Sequence, residues 1–246
     1  MNGLGVGGAD LYRALQEHKS DDLEALAEFL DTEHRRLAPD GARLALTDLC
    51  SGIGRTVHLY APHLWRVTCI DVDPVALTRL AATHPGVATV QADLAVPVEL
   101  PAADVIVCAH HAANETGDLA VLLGSAARAL RPGGALWIDI LTANGAYPFA
   151  WYRETVRTLV VAGWRYLLET TVMPTAHPGQ HYLLLRGTPL RSDGMRDGAD
   201  AARTALHVLR RRVFTSQEVR AAAERSALRV RSEDRGRFII EKPPRR

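Results

Sequence analysis

Lysine is almost absent from this 246-residue chain: Lys19 and Lys242 are its only two, and arginine supplies every other basic side chain. The formal net charge is only +1, so no strongly basic face is in prospect and nucleic acid is not the expected partner. The densest basic run, Arg210-Arg211-Arg212, is too short to alter this and is expected at a solvated strand end. Cysteine is nearly as scarce. Cys50, Cys69 and Cys108 are odd in number, widely spaced and set in apolar or glycine-rich runs, which suggests neither a disulfide framework nor a zinc site and fits a reducing cytoplasm. Also lacking is an apolar run long enough to span a bilayer, and residues 1–10 show no basic region followed by an apolar one. A cytoplasmic protein with no membrane partner is therefore expected. His177, His181 and His207 lie at irregular spacings without matching thiolates or carboxylates, so no metal is expected either.

What is present is ordinary for a globular enzyme, at 47% hydrophobic and 23% charged residues, in a length that suits one large domain over 1–246. Asp21 followed by Glu24 resembles a capping box, and Leu23, Leu26, Ala27, Phe29 and Leu30 recur at helical spacing, predicting an amphipathic helix in an N-terminal helical cap, 1–40. From 41 to 142, strands and helices alternate. Strands are predicted at Leu44–Leu49, Arg66–Ile70, Ala88–Gln91, Asp104–Ala109 and Ala135–Leu141, the last following a turn at Arg131-Pro132-Gly133-Gly134. Helices are predicted at Pro74–His84 and Leu119–Leu130. Near-continuous apolar strands in this alternation indicate a parallel sheet covered on both faces. Residues 143–213 read as an inserted region, with a helix over Trp151–Trp164 and strands at Tyr166–Val172, His181–Leu185 and Ala205–Val213 between loops rich in Pro, Gly and Asp. In 214–246, Thr215 with Glu218 caps a helix through Ala227, and Leu228–Ser232 and Arg237–Glu241 make a closing hairpin.

The chemistry concentrates where the first strand ends. Gly52 and Gly54 lack a β-carbon, so the backbone can turn sharply and approach a ligand closely. Asp71 ends the next strand roughly 20 residues later, placed to accept both ribose hydroxyls of a nucleotide-like cofactor. Asp73-Pro74 reads as a helix cap with its first-turn proline. A nicotinamide dehydrogenase is an alternative owner of such a turn, but its fingerprint wants a third glycine where this chain has Val57.

Thr47 to Arg55, Cys69 to Pro74, Gln91-Ala92-Asp93-Leu94 and Ala129 to Gly134 together resemble the ordered motifs of class I S-adenosylmethionine-dependent methyltransferases. The flanking elements resemble the small-molecule members, such as glycine or sugar N-methyltransferases. The resemblance implies a Rossmann-like, seven-stranded, mostly parallel sheet with helices on both faces, an N-terminal helical segment and an inserted antiparallel β lid or dimerisation region. It implies S-adenosylmethionine as cofactor, with Asp48 orienting the methionyl ammonium, the backbone of Cys50, Ser51, Gly52 and Gly54 against the ligand, Asp71 and Val72 at the ribose, and Asp93 and Leu94 at the adenine. The family usually has glycine where this chain has Cys50, so that position is expected either to avoid the backbone angles that glycine permits or to crowd the ligand.

Methyl transfer to an amine or hydroxyl is helped by a base. His110 and His111 follow the fourth strand at the sheet's ligand-binding end and are the candidates. An alternative places one of them against the methionyl end of the cofactor and the other in a loop cap. Weaker substrate candidates are Tyr12, Asn114, Glu115, Tyr147 and Trp151; Glu115 could instead open the following helix, and Tyr12 could simply pack beside Leu11 and Leu15. The expected activity is methyl transfer to nitrogen or oxygen of a small molecule, in a homodimer or monomer. A protein that binds the cofactor for other chemistry, or without catalysis, is the rival reading.

Overall fold

The computed structural model describes residues 8–17, 23–60, 65–142, 155–161, 164–175, 179–190 and 204–244. Contacts divide the chain into two compact units, one of residues 22–145 with 213–246 and the other of residues 1–21 with 146–212.

The larger unit is a seven-stranded sheet. Its strands are β1 (Leu44–Leu49), β2 (Trp65–Asp71), β3 (Ala88–Gln91), β4 (Ala103–Cys108), β5 (Leu130–Asp139), β10 (Arg229–Asp234) and β11 (Arg237–Glu241), in the order β10-β11-β5-β4-β1-β2-β3. The first five pair in parallel, and β10 and β11 pair antiparallel at one edge. All six residues of β1 are buried, as a central parallel strand covered on both faces requires. On one face, α2 (Glu24–Leu37) lays Leu26, Phe29 and Leu30 against Val105, Val107 and Trp137, and α3 (Pro74–Thr83) adds Leu80. On the other, Leu122, Leu123 and Ala126 of α4 (Leu119–Ala129) and Val219, Ala222 and Ala223 of α5 (Ser216–Arg225) cover Ile106, Leu136, Ile138 and Ile240. These are the Rossmann-like layers expected from the alternation.

Local chemistry sets the ends of these elements. Asp73 accepts the Val75 N–H at 2.9 Å with Pro74 in the first turn, and Thr215 and Glu218 form a reciprocal capping box. The expected cap at Asp21 is not the one that starts α2: Asp21 lies outside the described residues, and the helix begins at Glu24 after Leu23 without a side-chain cap bond. The Arg131-Pro132-Gly133-Gly134 turn is also corrected. These residues belong to β5 itself, in an irregularity where the β4–β5 register shifts between Ala103 and Val105. Gly133 takes φ +81°, and a β-carbon on Gly134 would stand 2.7 Å from the Asp104 carbonyl oxygen, so the strand is kinked by glycine rather than started after it. Lys242 anchors this corner: its ammonium donates to the carbonyls of Ala127 and Leu130, each at 2.7 Å, at the C-terminal end of α4.

A buried ion cluster ties α2 to the sheet edge. Glu33 continues the apolar stripe of Leu26, Phe29 and Leu30, is 0% exposed, and is paired by Arg36 and Arg231.

The smaller unit holds α1 (Gly8–Glu17) and an antiparallel meander, β6 (Thr155–Val161), β7 (Trp164–Pro174), β8 (Gln180–Pro189) and β9 (Ala205–Arg212). Leu11 and Leu15 of α1 pack on Leu159, Tyr166, Leu168, Leu183 and Leu185, and Leu11 comes so close to Gly187 that a β-carbon there would lie 2.6 Å from it. The predicted helix over Trp151–Trp164 is overturned. Residues 151–154 lie outside the described set, and Thr155 to Val161 is a strand paired antiparallel to β7, as its β-branched Thr, Val, Thr, Val, Val content favours. Arg211 is buried rather than solvated, since it sits at an inward position of β9.

Candidate cofactor and catalytic site

In a parallel sheet, residues that follow the C-terminal ends of neighbouring strands are brought side by side. Here β1, β2, β4 and β5 deliver Asp48 to Gly54, Asp71, His110-His111 and Asp139 to the same edge.

The turn after β1 is held by the acid after β2. Asp71 accepts the Gly52 N–H on Oδ2 at 2.7 Å and the Asp73 N–H on Oδ1 at 2.9 Å. A carboxylate oxygen has two lone pairs, so each retains one for a further donor. Burial raises the Asp71 carboxyl above its ordinary value, while the N–H groups of Asp73 and Gly52 act against the rise. Gly52 has φ +53° and nothing within 4 Å of where a β-carbon would stand; Gly54, at φ +85°, is packed against Leu80 and Val57. The turn is therefore tight on its core side and open at Gly52, the arrangement a ligand-facing cradle needs.

Cys50 neither avoids the glycine-like angle nor turns toward that opening. It adopts φ +54°, and its side chain packs into the core beneath the turn, against Cys108. The Cys108 thiol and burial push the Cys50 thiol well up, and Asp71 and Glu115 add to the effect. Glu115 is thereby placed within electrostatic reach of the turn. It does not open the following helix: it closes a short 3-10 turn at Ala112–Asn114, and α4 starts at Leu119, capped by Asp118.

Asp48 is 2% exposed. Its Oδ2 accepts the hydroxyls of Thr56 at 2.6 Å and Tyr60 at 2.9 Å. Burial raises its pKa from 3.8 to about 6, the two hydroxyls oppose the rise, and Asp71 adds to it. Neither Thr56 nor Tyr60 was legible as a site residue, because nothing in their spacing after Asp48 announces that the turn folds them back. Ser51 has its hydroxyl buried beside the Cys69 thiol, leaving backbone as its exposed part.

Val72 is 59% exposed, an apolar side chain directly beside the ribose candidate Asp71. Asp93 is exposed after β3 and accepts the Ala95 N–H at 2.9 Å, whereas the Leu94 side chain is buried in the core.

His110 and His111 take φ +62° and +59°. Two consecutive non-glycine residues in the left-handed region cost about 1–2 kcal/mol each. Asp139 offsets this strain, accepting the His110 N–H on Oδ2 at 2.9 Å and the His111 N–H on Oδ1. Hydrogen bonds to a charged acceptor contribute about 1.5–3 kcal/mol each. Asp139 was not among the expected site residues; its signal was a lone acid in the apolar run Ala135 to Leu141.

Asn114 is corrected from substrate candidate to brace. It is 0% exposed, and its amide accepts the Leu141 N–H at 2.9 Å and donates to the Leu141 carbonyl at 3.2 Å. Tyr12 lies in the smaller unit, packed against its core with its ring stacked on His207 at a centroid distance of 5.1 Å. Tyr147 and Trp151 fall outside the described residues. Among the described residues there is no group of three His, Cys, Asp or Glu that could hold a metal ion.

No curated protein matches the chain in sequence. Solved structures match it along nearly its whole length. The sugar N-methyltransferase KedS8 from Streptoalloteichus sp. ATCC 53650 aligns at 19% identity and TM-score 0.73, covering 99% of this chain and 95% of the other. DesVI from Streptomyces venezuelae aligns at 17% identity and TM-score 0.71, covering 96% and 98%. S-adenosylmethionine-bound CalS10 from Micromonospora echinaspora, an amino pentose methyltransferase of calicheamicin biosynthesis, aligns at 18% identity and TM-score 0.70, covering 94% and 96%. These likenesses establish the fold. Residues 46–134, which run from β1 through the Gly133-Gly134 kink, match the methyltransferase domain family.

Proposed function

We propose that the protein transfers a methyl group from S-adenosylmethionine to a nitrogen of a small molecule, with an amino sugar as the favoured acceptor class. The observation that carries this reading is the joint placement of Asp48, the Gly52 opening and Asp71 at one sheet edge, inside the matched methyltransferase domain. The acceptor class rests on CalS10 and KedS8, whose names give an amino pentose and a sugar nitrogen and whose folds align with nearly all of this chain.

The residues fit the cofactor. Asp48 offers a carboxylate for the methionyl ammonium, the backbone of Cys50, Ser51, Gly52 and Gly54 lines the cradle, and Asp71 has lone pairs left for the ribose hydroxyls with Val72 beside it. Asp93 would take the adenine amino group with the Leu94 backbone next to it, and His110 would flank the methionyl end. When bound, the cofactor supplies a sulfonium methyl group as electrophile. The chain's own contribution is alignment, which can lower a barrier by about 7–11 kcal/mol. It also includes a proton acceptor, His111 or His110, that keeps the attacking amine neutral. Glu115 is placed to attract a cationic amine toward the turn.

Calorimetric titration with S-adenosylhomocysteine tests the cofactor assignment. The intact protein should bind, and Asp71→Ala should weaken binding by about 10- to 150-fold, the equivalent of one or two hydrogen bonds to a charged acceptor. Absence of binding by the intact protein overturns the assignment. Binding without turnover across a panel of nucleotide-linked amino sugars and simple amines would favour other chemistry on the same cofactor.

We further propose a cytoplasmic homodimer. No helix among the described residues is long and apolar enough to cross a membrane. The outward positions of the four-stranded sheet carry Val160, Met173, Tyr182, Leu206 and Val208, each more than 40% exposed, among Arg165, Glu169, Arg186 and Arg210, a mixed apolar and charged face suited to a second copy. Light scattering on the purified protein tests this.

A further inference from the structure

The methyltransfer reading leaves open what decides which nitrogen of which histidine takes the proton. The loop after β4 is pinned to the end of β5 at two levels. Asn114 brackets the Leu141 peptide from both sides, and Asp139 receives the N–H groups of His110 and His111 on separate oxygens. A third contact involves the imidazole itself and is electrostatic rather than a hydrogen bond: Nδ1 of His111 is sealed from solvent 3.5 Å from Asp139 Oδ1, although the His111 side chain as a whole is 39% exposed. The buried nitrogen of the ring therefore faces the carboxylate, and the exposure of the side chain lies elsewhere on it. The end of β5 is itself fixed from below, because Ile140 donates to the Gly236 carbonyl at 2.8 Å in the β10–β11 turn, where no β-carbon could fit.

We propose that Asp139 is the positioning residue of this site, holding the left-handed His110-His111 turn and selecting the Nδ1–H form of His111, so that Nε2 is the nitrogen that accepts a proton from the acceptor amine. A neutral imidazole carries one N–H and one lone pair, and the hydrogen bond made by one nitrogen sets which form is present. A carboxylate 3.5 Å from the buried Nδ1 disfavours a lone pair on that nitrogen and favours a proton there, which leaves the lone pair on Nε2. A proton passing from a protonated amine to Nε2 leaves a neutral amine and an imidazolium, whose new charge Asp139 faces at short range. No other reactant is needed.

This inference rests on the methyltransfer reading only for the identity of the proton donor; the form of the ring can be measured without any acceptor. Nitrogen-15 NMR of the full-length protein labelled at histidine, with His111 assigned by the loss of its signals in His111→Asn, should show protonated Nδ1 and bare Nε2 above the titration of the ring. Asp139→Asn should move the His111 signals toward the Nε2–H form. A purely structural role for Asp139 would lower the stability of that variant without moving them. The inference is overturned if His111 in the wild-type protein carries its proton on Nε2, a result that needs no variant to fold, or if Asp139→Asn leaves its signals in place. A parallel titration with S-adenosylhomocysteine separates the two readings: failure to bind removes the cofactor assignment and leaves the NMR result standing, whereas normal binding with an Nε2–H His111 removes only the role given to Asp139.

Discussion

Replacing Asp48 with asparagine removes a charge that the fold holds against its own stability. Burial takes the carboxyl from 3.8 to about 6. The native state therefore keeps its proton over a range in which the unfolded chain has released it, and native stability falls as the pH rises from 3.8 through about 6. At about 1.4 kcal/mol per pH unit, this amounts to about 3 kcal/mol of destabilisation, fully developed at neutral pH. In the variant, one amide oxygen can take the place of Oδ2 and accept both the Thr56 and Tyr60 hydroxyls, so these contacts survive. The amide N–H groups are newly buried and take back part of the gain. A net 1–2 kcal/mol, at about 2–4 °C per kcal/mol for a chain of this length, raises the thermal midpoint near neutral pH by about 2–8 °C. S-adenosylhomocysteine affinity moves the other way, falling at least about tenfold as the ligand ammonium loses a charged partner. Scanning calorimetry between about pH 4 and 7.5 and titration calorimetry measure the two effects. An Asp48→Asn protein that is less stable than wild type near neutral pH, with the same loss of stability across the acid range, would refute the reasoning.

The same carboxyl sets a pH dependence of binding. With Asp48 in the proposed role of partner to the ammonium, wild-type affinity for S-adenosylhomocysteine should weaken about tenfold per pH unit below about 6, and Asp48→Asn should show no such decline; titrations across this range decide it. Asn114→Ala leaves the Leu141 N–H without a partner in a buried place, the Leu141 carbonyl keeping the Phe214 N–H, and should cost about 1–3 kcal/mol in a urea melt. Glu33→Ala removes the shared acceptor of Arg36 and Arg231, which stay partly solvated, and should cost about 1–3 kcal/mol by the same measurement, with Glu33→Gln milder because it keeps an acceptor.

The parallel sheet was legible because its strands are largely apolar runs: Leu44 to Leu49, Trp65 to Asp71 and Ala103 to Cys108 lie close to where the pattern puts them. Periodicity failed where a local breaker and a long-range pairing disagree. Pro132-Gly133-Gly134 looks like punctuation, yet pairing with β4 on one side and backbone bonds to Lys242 on the other carry the strand through it. Thr155 to Val161 sits in an aromatic-rich stretch that mimics a helix face, but its partner strand decides its state. That Asp48, Asp71 and Asp93 stand at or just after the ends of β1, β2 and β3 could be read from motif order. The left-handed Cys50, the bracing Asn114 and the organising Asp139 could not, since each depends on a neighbour distant in sequence.

Thr142 pairs with Phe214, and the Phe214 N–H donates to the Leu141 carbonyl at 3.2 Å, so the seven-stranded unit closes its own backbone across the point where the chain departs for residues 146–212. Departure and return are neighbours, which makes the excursion a cassette: its length and sequence can drift, or be exchanged for another, without rethreading the seven-stranded unit. The cassette is not one continuous segment, however. Leu11 is seated over Gly187, so any transplant of the cassette has to carry the first helix together with the four strands.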